Sequence, residues 1–328
     1  MPRWEYSKGL HEVGRGVYAY LSPDGSWGWS NAGLIVDGDR SLLVDTLFDL
    51  KLTSEMLQAM RDATGVGARQ IRTVVNTHAN GDHTYGNVLV KHAEIIASLA
   101  SAEEMDEFPP GMMAELVKQP GLGDGAAFIA ELFGGFQFEG VEHVPPTRTY
   151  SGRLDLKVGD KDVRLLEVGP AHTRGDTLVH VPSEKTIYTG DILFIGGTPV
   201  MWTGPVANWI AACDLILGLD VDVIVPGHGP VTDKAGVRGV RDYLVHVHDE
   251  AWKRFQDGMP FDAAARDIAL REFGAWSDSE RLVVNVHSLY REFGASNLGE
   301  SVLDLFAHMK RYRDACAGGH CGHADHAR

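Results

Sequence analysis

The sequence predicts a layered α/β sandwich followed by a helical C-terminal region. Short apolar runs of strand length alternate with segments of helical periodicity up to about residue 230, and the same order occurs in two successive halves. Only helical patterns follow. The chain of 328 residues, 44% of them hydrophobic and 23% charged, is long enough to bury one large core.

In the first half, short apolar runs bounded by turn-forming residues predict strands, and apolar residues three or four positions apart predict helices. The predicted strands are residues 32–36, 41–44, 71–75 and 94–97, and the predicted helices are residues 52–63 and 100–107. Residues 108–126 contain Pro109, Pro110, Pro120 and several glycines, which predicts an irregular segment. Such a segment serves either as a lid or as a contact in a homodimer.

The second half repeats these patterns. The predicted strands are residues 163–168, 177–181, 186–188 and 221–225, and the predicted helix is residues 207–217. From residue 233 the pattern is helical, with breaks at 258–260, 274 and 294. We therefore expect a sandwich core over 1–232 and a helical extension over 233–315 packed on that core.

The last residues, 316–328, form a tail rich in His and Cys, which we expect to be disordered because it is glycine-rich and terminal. Cys316, His320, Cys321, His323 and His326 are metal-ligand types. Their spacing matches no closed zinc motif, so transition-metal binding by the tail is the weaker interpretation.

Composition excludes several classes of partner. The 30 Lys and Arg residues against 45 Asp and Glu residues give a net charge of −15, and no basic run offsets it, so nucleic-acid binding is disfavoured. No apolar stretch reaches the roughly 20 residues that a membrane span needs. The N-terminus lacks the pattern of a secretory signal, and three cysteines cannot form a disulfide framework. A cytoplasmic location follows, with Cys213 predicted to be a buried thiol.

Histidine and aspartate residues follow the predicted strands at their ends. They are Asp45, the cluster His78-Ala79-Asn80-Gly81-Asp82-His83, His172, Asp191 and His228. Imidazole and carboxylate groups are the ligands that zinc accepts, at about 2.0–2.2 Å. A single histidine would be unremarkable, but several buried strands that each end in such a residue predict one metal site.

These motifs, taken in order, resemble those of the metallo-β-lactamase-fold hydrolase superfamily from about residue 15 to 230. The resemblance rests on Thr77-His78-Ala79-Asn80-Gly81-Asp82-His83, Gly169-Pro170-Ala171-His172-Thr173, Thr189-Gly190-Asp191 and Pro226-Gly227-His228-Gly229. It implies an αββα four-layer sandwich and a metal-dependent hydrolase of a small-molecule substrate. It does not identify the substrate, because this fold hosts many reactions.

The resemblance also implies a ligand set for two metals. The first metal is held by the residues at positions 78, 80 and 172, and the second by Asp82, His83 and His228, while Asp191 bridges the two. Asp45 corresponds to an aspartate that supports the metal loop from behind. These assignments are what the family pattern implies for this chain.

Position 80 departs from that pattern, because it is Asn where the family has His. An amide oxygen is a poor zinc ligand beside imidazole. We therefore predict one firmly held zinc at Asp82, His83, Asp191 and His228, and a weak or absent metal at His78 and His172. We expect Asp82, His78, His172 and Asn80 to be the catalytic residues, with Asn80 donating its amide N–H to a developing anion.

One zinc is sufficient for hydrolysis, because it lowers the pKa of its bound water to about 7 and polarises a substrate oxygen. The predicted reaction is attack by a metal-bound hydroxide on an ester, thioester, lactone or amide, or on an activated aromatic carbon as in hydrolytic dehalogenation. The alternatives are an iron-dependent redox protein of the same fold and a non-catalytic ligand-binding relic. A nuclease is disfavoured by the acidic charge.

Three tryptophans, Trp27, Trp29 and Trp202, lie in loops that the resemblance places over the metal, and they either form an aromatic substrate wall or pack on the sandwich. In the helical region, Tyr290, Arg291, Lys310 and Arg311 either contact an anionic substrate or form a solvated face, and helical spacing favours the second interpretation.

Overall fold

The computed structural model describes residues 4–317, and within them the chain forms two mixed β-sheets. The first sheet has seven strands in chain order, β1 (Gly9–Gly14), β2 (Val17–Leu21), β3 (Ala32–Asp37), β4 (Arg40–Val44), β5 (Thr73–Val75), β6 (Glu94–Ser98) and β7 (Arg148–Tyr150). Neighbouring strands are antiparallel up to β4 and parallel from β4 to β7.

The second sheet has five strands, β8 (Arg153–Val158), β9 (Lys161–Glu167), β10 (Thr177–Val181), β11 (Thr186–Tyr188) and β12 (Val223–Val225). Their order in space is β12, β11, β10, β9, β8. Strands β11 and β12 are parallel, and the other neighbouring pairs are antiparallel.

Ten α-helices surround the sheets in the described part of the chain. They are α1 (Leu50–Thr64), α2 (Gly81–Thr84), α3 (Leu99–Met105), α4 (Pro110–Leu116), α5 (Asp124–Phe133), α6 (Val206–Gly218), α7 (Lys234–Gln256), α8 (Phe261–Asp267), α9 (Leu282–Glu292) and α10 (Val302–Ala317). None of these helices, over residues 4–317, is long and apolar enough to span a bilayer.

The alternation of side chains along each strand builds the layers. Leu42 and Val44 of β4 lie in the inner cluster with Val179 of β10, between the two sheets. Leu43 points to the opposite face of β4, where it shares a cluster with Met56 of α1. Successive residues of a strand point to opposite faces, so a continuous apolar run is buried on both sides.

The second sheet is covered in the same way on its outer face. Leu178 of β10 lies in one apolar cluster with Trp209 of α6, Val240 of α7, Leu289 of α9 and Met309 of α10. Helices therefore cover both outer faces of the paired sheets, and the predicted αββα sandwich with helical residues after the core is confirmed.

Every strand and helix predicted up to residue 107, and between residues 163 and 225, overlaps an observed element. Residues 108–126 differ from the prediction, because α4, a 3-10 turn at Pro120–Leu122 and the start of α5 make most of this segment helical. Pro110 and Pro120 occupy the first turns of these helices, where a missing N–H breaks no intrahelical bond. The irregular prediction was wrong for most of this segment because a proline in the first turn of a helix cannot be distinguished from a loop proline by sequence alone.

Four strands, β1, β2, β7 and β8, were not predicted. In β8 the side chains of Arg153, Asp155 and Lys157 are polar and exposed at the edge of the second sheet, so no continuous apolar run indicates the strand. Cys213 is buried in α6, as expected. Helix α10 continues through Ala317, two residues into the predicted tail, and the rest of that tail lies outside the described residues.

Candidate metal centre

The loops that follow β4, β5, β11 and β12, together with the loop between β9 and β10, meet at one edge of the sandwich. They bring six predicted ligands together, namely His78, Asp82, His83, His172, Asp191 and His228. The loop after β5 is held by one of its own side chains and by one from the loop after β4, since Asn76 Nδ2 and Thr46 Oγ1 both donate to the carbonyl oxygen of His83. The short helix α2 then presents Asp82 and His83.

Asp82, His83, Asp191 and His228, which we call the second donor set, lie at separations that suit zinc. His83 Nε2 is 3.1 Å from Asp191 Oδ1 and 3.8 Å from Asp82 Oδ2. His228 Nε2 is 3.3 Å from Asp82 Oδ2 and 3.4 Å from Asp191 Oδ2. Tetrahedral ligands bound at zinc distances are separated by roughly 3.3–3.6 Å. The donor set therefore fits one zinc ion.

Three buried ligand atoms in this cluster have no hydrogen-bond partner. They are His78 Nε2, His83 Nε2 and Asp191 Oδ1. A buried polar atom without a partner costs roughly 1–3 kcal/mol, so such atoms are rare unless a ligand satisfies them. All three belong to side chains grouped around Asp191, and their missing partners fit a cluster that can hold a cation.

Hydrogen bonds at Nδ1 fix the orientation of all four imidazoles. His83 Nδ1 lies 3.0 Å from Asp45 Oδ2, and His172 and His228 place Nδ1 2.6 Å and 3.1 Å from the carbonyl oxygens of Val200 and Gly25. Carbonyl and carboxylate oxygens accept, so Nδ1 carries the proton in each ring. Nε2 then offers its lone pair to the cluster, as in metal-binding histidines.

His78 is also protonated at Nδ1, because its hydrogen bond with Thr77 requires it. The Thr77 hydroxyl donates to Asp45 Oδ2 at 2.7 Å and therefore accepts from His78 Nδ1 at 3.0 Å. Asp45 also accepts from the Thr77 backbone N–H at 2.7 Å. Asp45 has a left-handed backbone, with φ of +60°, which costs an aspartate on the order of 1 kcal/mol. This conformation places its carboxylate behind both His78 and His83.

A close approach of the backbone makes room for Asp191. A side chain at Gly227 would overlap Asp191 Oδ1, so no other residue fits beside the carboxylate without displacing it. Gly190 has φ of +49° and a Cβ there would contact Thr77. The glycines of the two motifs are therefore required by the geometry of the donor atoms.

The charges of the cluster favour a cation. Burial lowers the pKa of His83, but Asp191, Asp82 and Asp45 offset this and raise the pKa well above its usual value. Burial raises the pKa of Asp191, but the imidazoles of His228 and His83 reverse this and hold it well below its usual value. The lowered pKa values of Asp191 and Asp82 favour their ionised forms, and a divalent cation competes with protons for the same lone pairs.

His78, His172 and Asp191, which we call the first donor set, offer fewer free lone pairs. Asp191 Oδ2 lies 3.7 Å from His78 Nε2 and 3.4 Å from His172 Nε2. Asn80 Nδ2 lies 3.0 Å from His172 Nε2. Since His172 Nδ1 already carries the proton, the Asn80 amide donates to Nε2 and occupies the lone pair that a metal would need.

A cavity of about 360 Å³ opens over both donor sets. Asn80, Asp82, His172, Asp191 and His228 form its polar end. Its walls include the aromatic side chains of Trp27, Phe48, Phe133, Phe194, Trp202 and Phe306. Charged side chains outside the donor sets, among them Arg291 and Glu300, also line it. A cavity that combines an aromatic wall with a few placed polar groups is the usual form of a small-molecule site.

The three tryptophans singled out in the sequence have different places. Trp27 and Trp202 line the cavity, with ring centroids 6.2 Å apart, and both contact Phe306. Trp29 lies outside the cavity lining and packs on Phe136 at 5.1 Å. The sequence left both a substrate wall and packing open for these tryptophans. Between Trp27 and Trp29, Gly28 has φ of +78°, which turns the chain, and Trp29 packs on Phe136 instead of lining the cavity.

Helix α9 supplies cavity-lining residues that the sequence motifs did not reveal. They are Val284, His287, Ser288 and Arg291, preceded by Arg281 at the helix start. The Arg281 guanidinium lies 4.3 Å from the ring centroid of Trp27 and donates to the carbonyl oxygen of Thr198. Among the other candidates of this region, Tyr290 is buried and Lys310 pairs with Asp314 at 2.6 Å.

Comparison with known proteins identifies the family. The sequence model described as the metallo-beta-lactamase superfamily matches residues 25–228, more than half of the chain. The 2,4-dinitroanisole O-demethylase subunit alpha of Nocardioides sp. is 28% identical over 203 residues, which cover 60% of this chain and 51% of that protein. An acyl-coenzyme A thioesterase of Homo sapiens is 25% identical over 215 residues, which cover 61% of this chain and 72% of that protein.

Solved structures show the same fold at low identity. A stereoselective inverting sec-alkylsulfatase from Pseudomonas sp. aligns with a TM-score of 0.66 and 16% identity, over 89% of this chain and 51% of that chain. A metallo-beta-lactamase from Pontibacter korlensis aligns with a TM-score of 0.55, over 73% of this chain and 99% of that chain. This chain thus spans about half the length of two of these relatives. It belongs to the metallo-beta-lactamase superfamily, as its motifs predicted.

Proposed function

We propose that this protein is a zinc-dependent hydrolase of small, largely apolar molecules that carry an electrophilic carbon. The observation that carries the proposal is the position of the second donor set, which lies at one end of a cavity with a contiguous aromatic wall. Its four side chains are the ligand types and separations that zinc takes.

Asp82, His83, Asp191 and His228 would hold the zinc. When bound there, zinc supplies a Lewis acid that activates water and polarises a substrate oxygen. Each ligand is oriented by a second residue, of which Asp45 behind His83 is the most direct. Such outer partners keep the donors in place while the substrate binds.

His78 and Asn80 are the catalytic residues of this proposal; Asn80 lines the cavity, and His78 is buried beside the donor atoms. His78 Nε2 is buried, unpartnered and unprotonated, so it can accept a proton from the attacking water. Asn80 uses one amide N–H for His172 Nε2, and its second N–H is free to donate to a substrate oxygen. The residues Asp82 and His172 complete the proposed catalytic group.

The cavity walls define the substrate class. Trp27, Trp202 and Phe306 form a contiguous aromatic surface, with centroid separations of 5.6–6.2 Å. Such a surface binds an aromatic ring or an apolar chain and excludes water from the reacting bond. The substrates named for the relatives, dinitroanisole and acyl-coenzyme A, differ in chemistry but each presents an electrophilic carbon, which supports this class.

The experiment measures turnover of a substrate panel with and without a metal chelator. The panel contains 4-nitrophenyl esters, acyl thioesters, lactones and 2,4-dinitroanisole. We expect turnover of at least one class, loss on chelation and recovery with zinc alone. If the zinc-loaded protein turns over none of them, the hydrolase proposal fails, and binding without turnover would favour the non-catalytic alternative.

Elemental analysis of the purified protein distinguishes zinc from iron. Iron in preference to zinc would favour the redox alternative of the same fold. The proposal also includes a cytoplasmic location, which cell fractionation tests. The homodimer remains a hypothesis for size-exclusion chromatography with light scattering.

A further inference from the structure

One face of α9 lies along the cavity. The residues that line it from this region are Arg281, Val284, His287, Ser288 and Arg291. Their spacing of three or four positions is the period of one helical face. The family match ends at residue 228, so this wall belongs to the part of the chain that follows the shared motifs.

The start of this face is next to the metal centre. The Arg281 guanidinium lies 5.3 Å from the ring centroid of Phe194. Phe194 in turn stacks on the imidazole of His228, with centroids 5.0 Å apart and an interplanar angle of 5°. Arg291 lies ten positions after Arg281, which corresponds to roughly 15 Å along a helix. Of these two cavity-lining arginines, Arg281 is therefore the one beside the metal centre, and Arg291 lies about three helical turns farther on.

The charged side chains that line the cavity outside the donor sets differ in their partners. Arg281 pairs with Asp278 at 3.3 Å, and Glu300 pairs with His287 at 3.1 Å. Glu104 accepts from the backbone N–H of Arg174 at 3.0 Å, and the Arg174 guanidinium lies 3.8 Å away.

Arg291 is different, because within the described residues 4–317 its guanidinium has no ion pair and no hydrogen bond, and only its backbone carbonyl accepts hydrogen bonds. Its side chain is exposed at the cavity. A guanidinium presents donors in a planar fork that matches a carboxylate or a sulfate. An unpaired fork on a cavity wall is a binding group for a substrate anion.

We infer that Arg291 selects substrates that carry an anionic group at the end opposite to the hydrolysed bond. This inference rests on the proposed function, because it extends the same cavity. The substrate is an amphipathic molecule whose electrophilic carbon reaches the donor sets, whose apolar body lies on the aromatic wall, and whose carboxylate or sulfate pairs with Arg291.

The test uses two esters of equal length. One is the mono-4-nitrophenyl ester of octanedioic acid, and the other is its terminal carboxamide, which has the same shape without the charge. Hydrolysis adds water to the acyl carbon, breaks the acyl C–O bond and releases 4-nitrophenol with the free acid. We expect kcat/KM to be about tenfold higher for the carboxylate ester, mainly through KM, and to approach equality at high salt.

Variants at two exposed arginines test whether Arg291 causes the preference for the carboxylate ester over the carboxamide ester. Arg291→Gln should bring the carboxylate ester down to the kcat/KM of the carboxamide ester in the same variant, and Arg291→Lys should keep part of the preference. Arg311→Gln removes an exposed arginine of α10 outside the cavity lining and should keep the full preference. An undiminished preference in Arg291→Gln, or none in the unmodified protein, overturns the inference.

A binding measurement separates this inference from the hydrolase proposal. Calorimetry with the corresponding 4-nitroanilides, which carry the stable amide bond, compares the charged and uncharged ends without turnover. If neither ester is hydrolysed but the charged anilide binds about tenfold more tightly in an Arg291-dependent manner, the hydrolase proposal fails and the inference stands. Equal binding of the two anilides contradicts the inference.

Discussion

The two donor sets share Asp191 but differ in how many lone pairs they leave for a metal. In the second set, His83, His228 and Asp82 face one another with donor separations of 3.3–3.8 Å and no competing amide. In the first set, Asn80 donates to His172 Nε2. A difference of one hydrogen bond therefore separates a site that fits zinc from one whose imidazole is already occupied.

This difference shows that a histidine in the right place is not yet a ligand. His172 has the same Nδ1 arrangement as His228, since both donate to a backbone carbonyl. What distinguishes them is the group that meets Nε2. We therefore expect the state of the Nε2 lone pair, rather than the identity of the residue, to decide whether a metal binds.

The largest expected difference in zinc content is between two variants that each remove one histidine, His83 from the second donor set and His78 from the first. His83→Ala should lose the zinc and reduce kcat/KM at least about a thousandfold, or ~4 kcal/mol, because it removes a ligand of the complete set. His78→Ala should keep one zinc per chain, because His78 belongs to the first set. Elemental analysis and kinetics measure both, and circular dichroism verifies folding. If His83→Ala still held one zinc and His78→Ala held none, the comparison would be reversed.

Asn80→His should convert the first set into a metal site. The substitution removes the amide that occupies His172 Nε2 and adds an imidazole, so we expect the zinc content to rise from one ion per chain to two. Asn80→Ala, which removes the amide without adding a ligand, is the control and should stay at one.

The count is made in chains in which the five candidate ligands of the tail are changed to alanine, so that the tail adds no zinc. They are Cys316, His320, Cys321, His323 and His326. Two zinc ions in the chain with Asn80 would show that the amide does not prevent binding. One ion in Asn80→His would show that the first set lacks more than an imidazole.

A smaller change in zinc affinity is expected from substitutions of the residues that hydrogen-bond to the candidate ligands. Asp45→Asn weakens the hydrogen bond that orients His83 and should reduce zinc affinity by about 10–100-fold. Thr77→Val removes the hydroxyl that orients His78 in the first set and should change zinc affinity less. Competition with a chromophoric chelator gives both affinities. An equal loss in the two variants would indicate that Asp45 acts on the whole loop rather than on His83.

The strands were largely predictable because they are buried on both faces. In β4, β5 and β10, one run of apolar residues serves the inner and the outer layer at once, so the pattern survives whichever helix covers it. Helices α4 and α5 were harder to predict, because Pro110 and Pro120 begin helical turns that only the surrounding packing stabilises.

The candidate ligands were predictable for a related reason. Asp191 and His228 follow buried strands that are parallel neighbours, β11 and β12, so the strand ends bring them to one edge. The cavity wall was not predictable in this way. The apolar and polar pattern of α9 does not show which part of the molecule its faces contact, since that depends on tertiary packing. Arg291 has the spacing of a solvated face, and only the position of α9 beside Phe194 and His228 brings it to the cavity.

The sequence by itself determined the family, the sandwich and the chemical types of the donors, because burial and strand alternation are local properties that a chain carries in its order of residues. The tertiary structure alone decided which lone pairs are free. The hydrogen bond from Asn80 to His172 joins residues 92 positions apart, and its donor and acceptor roles follow from the carbonyl of Val200 on the other side of the ring. Such bonds depend on distances between loops, which no local pattern records.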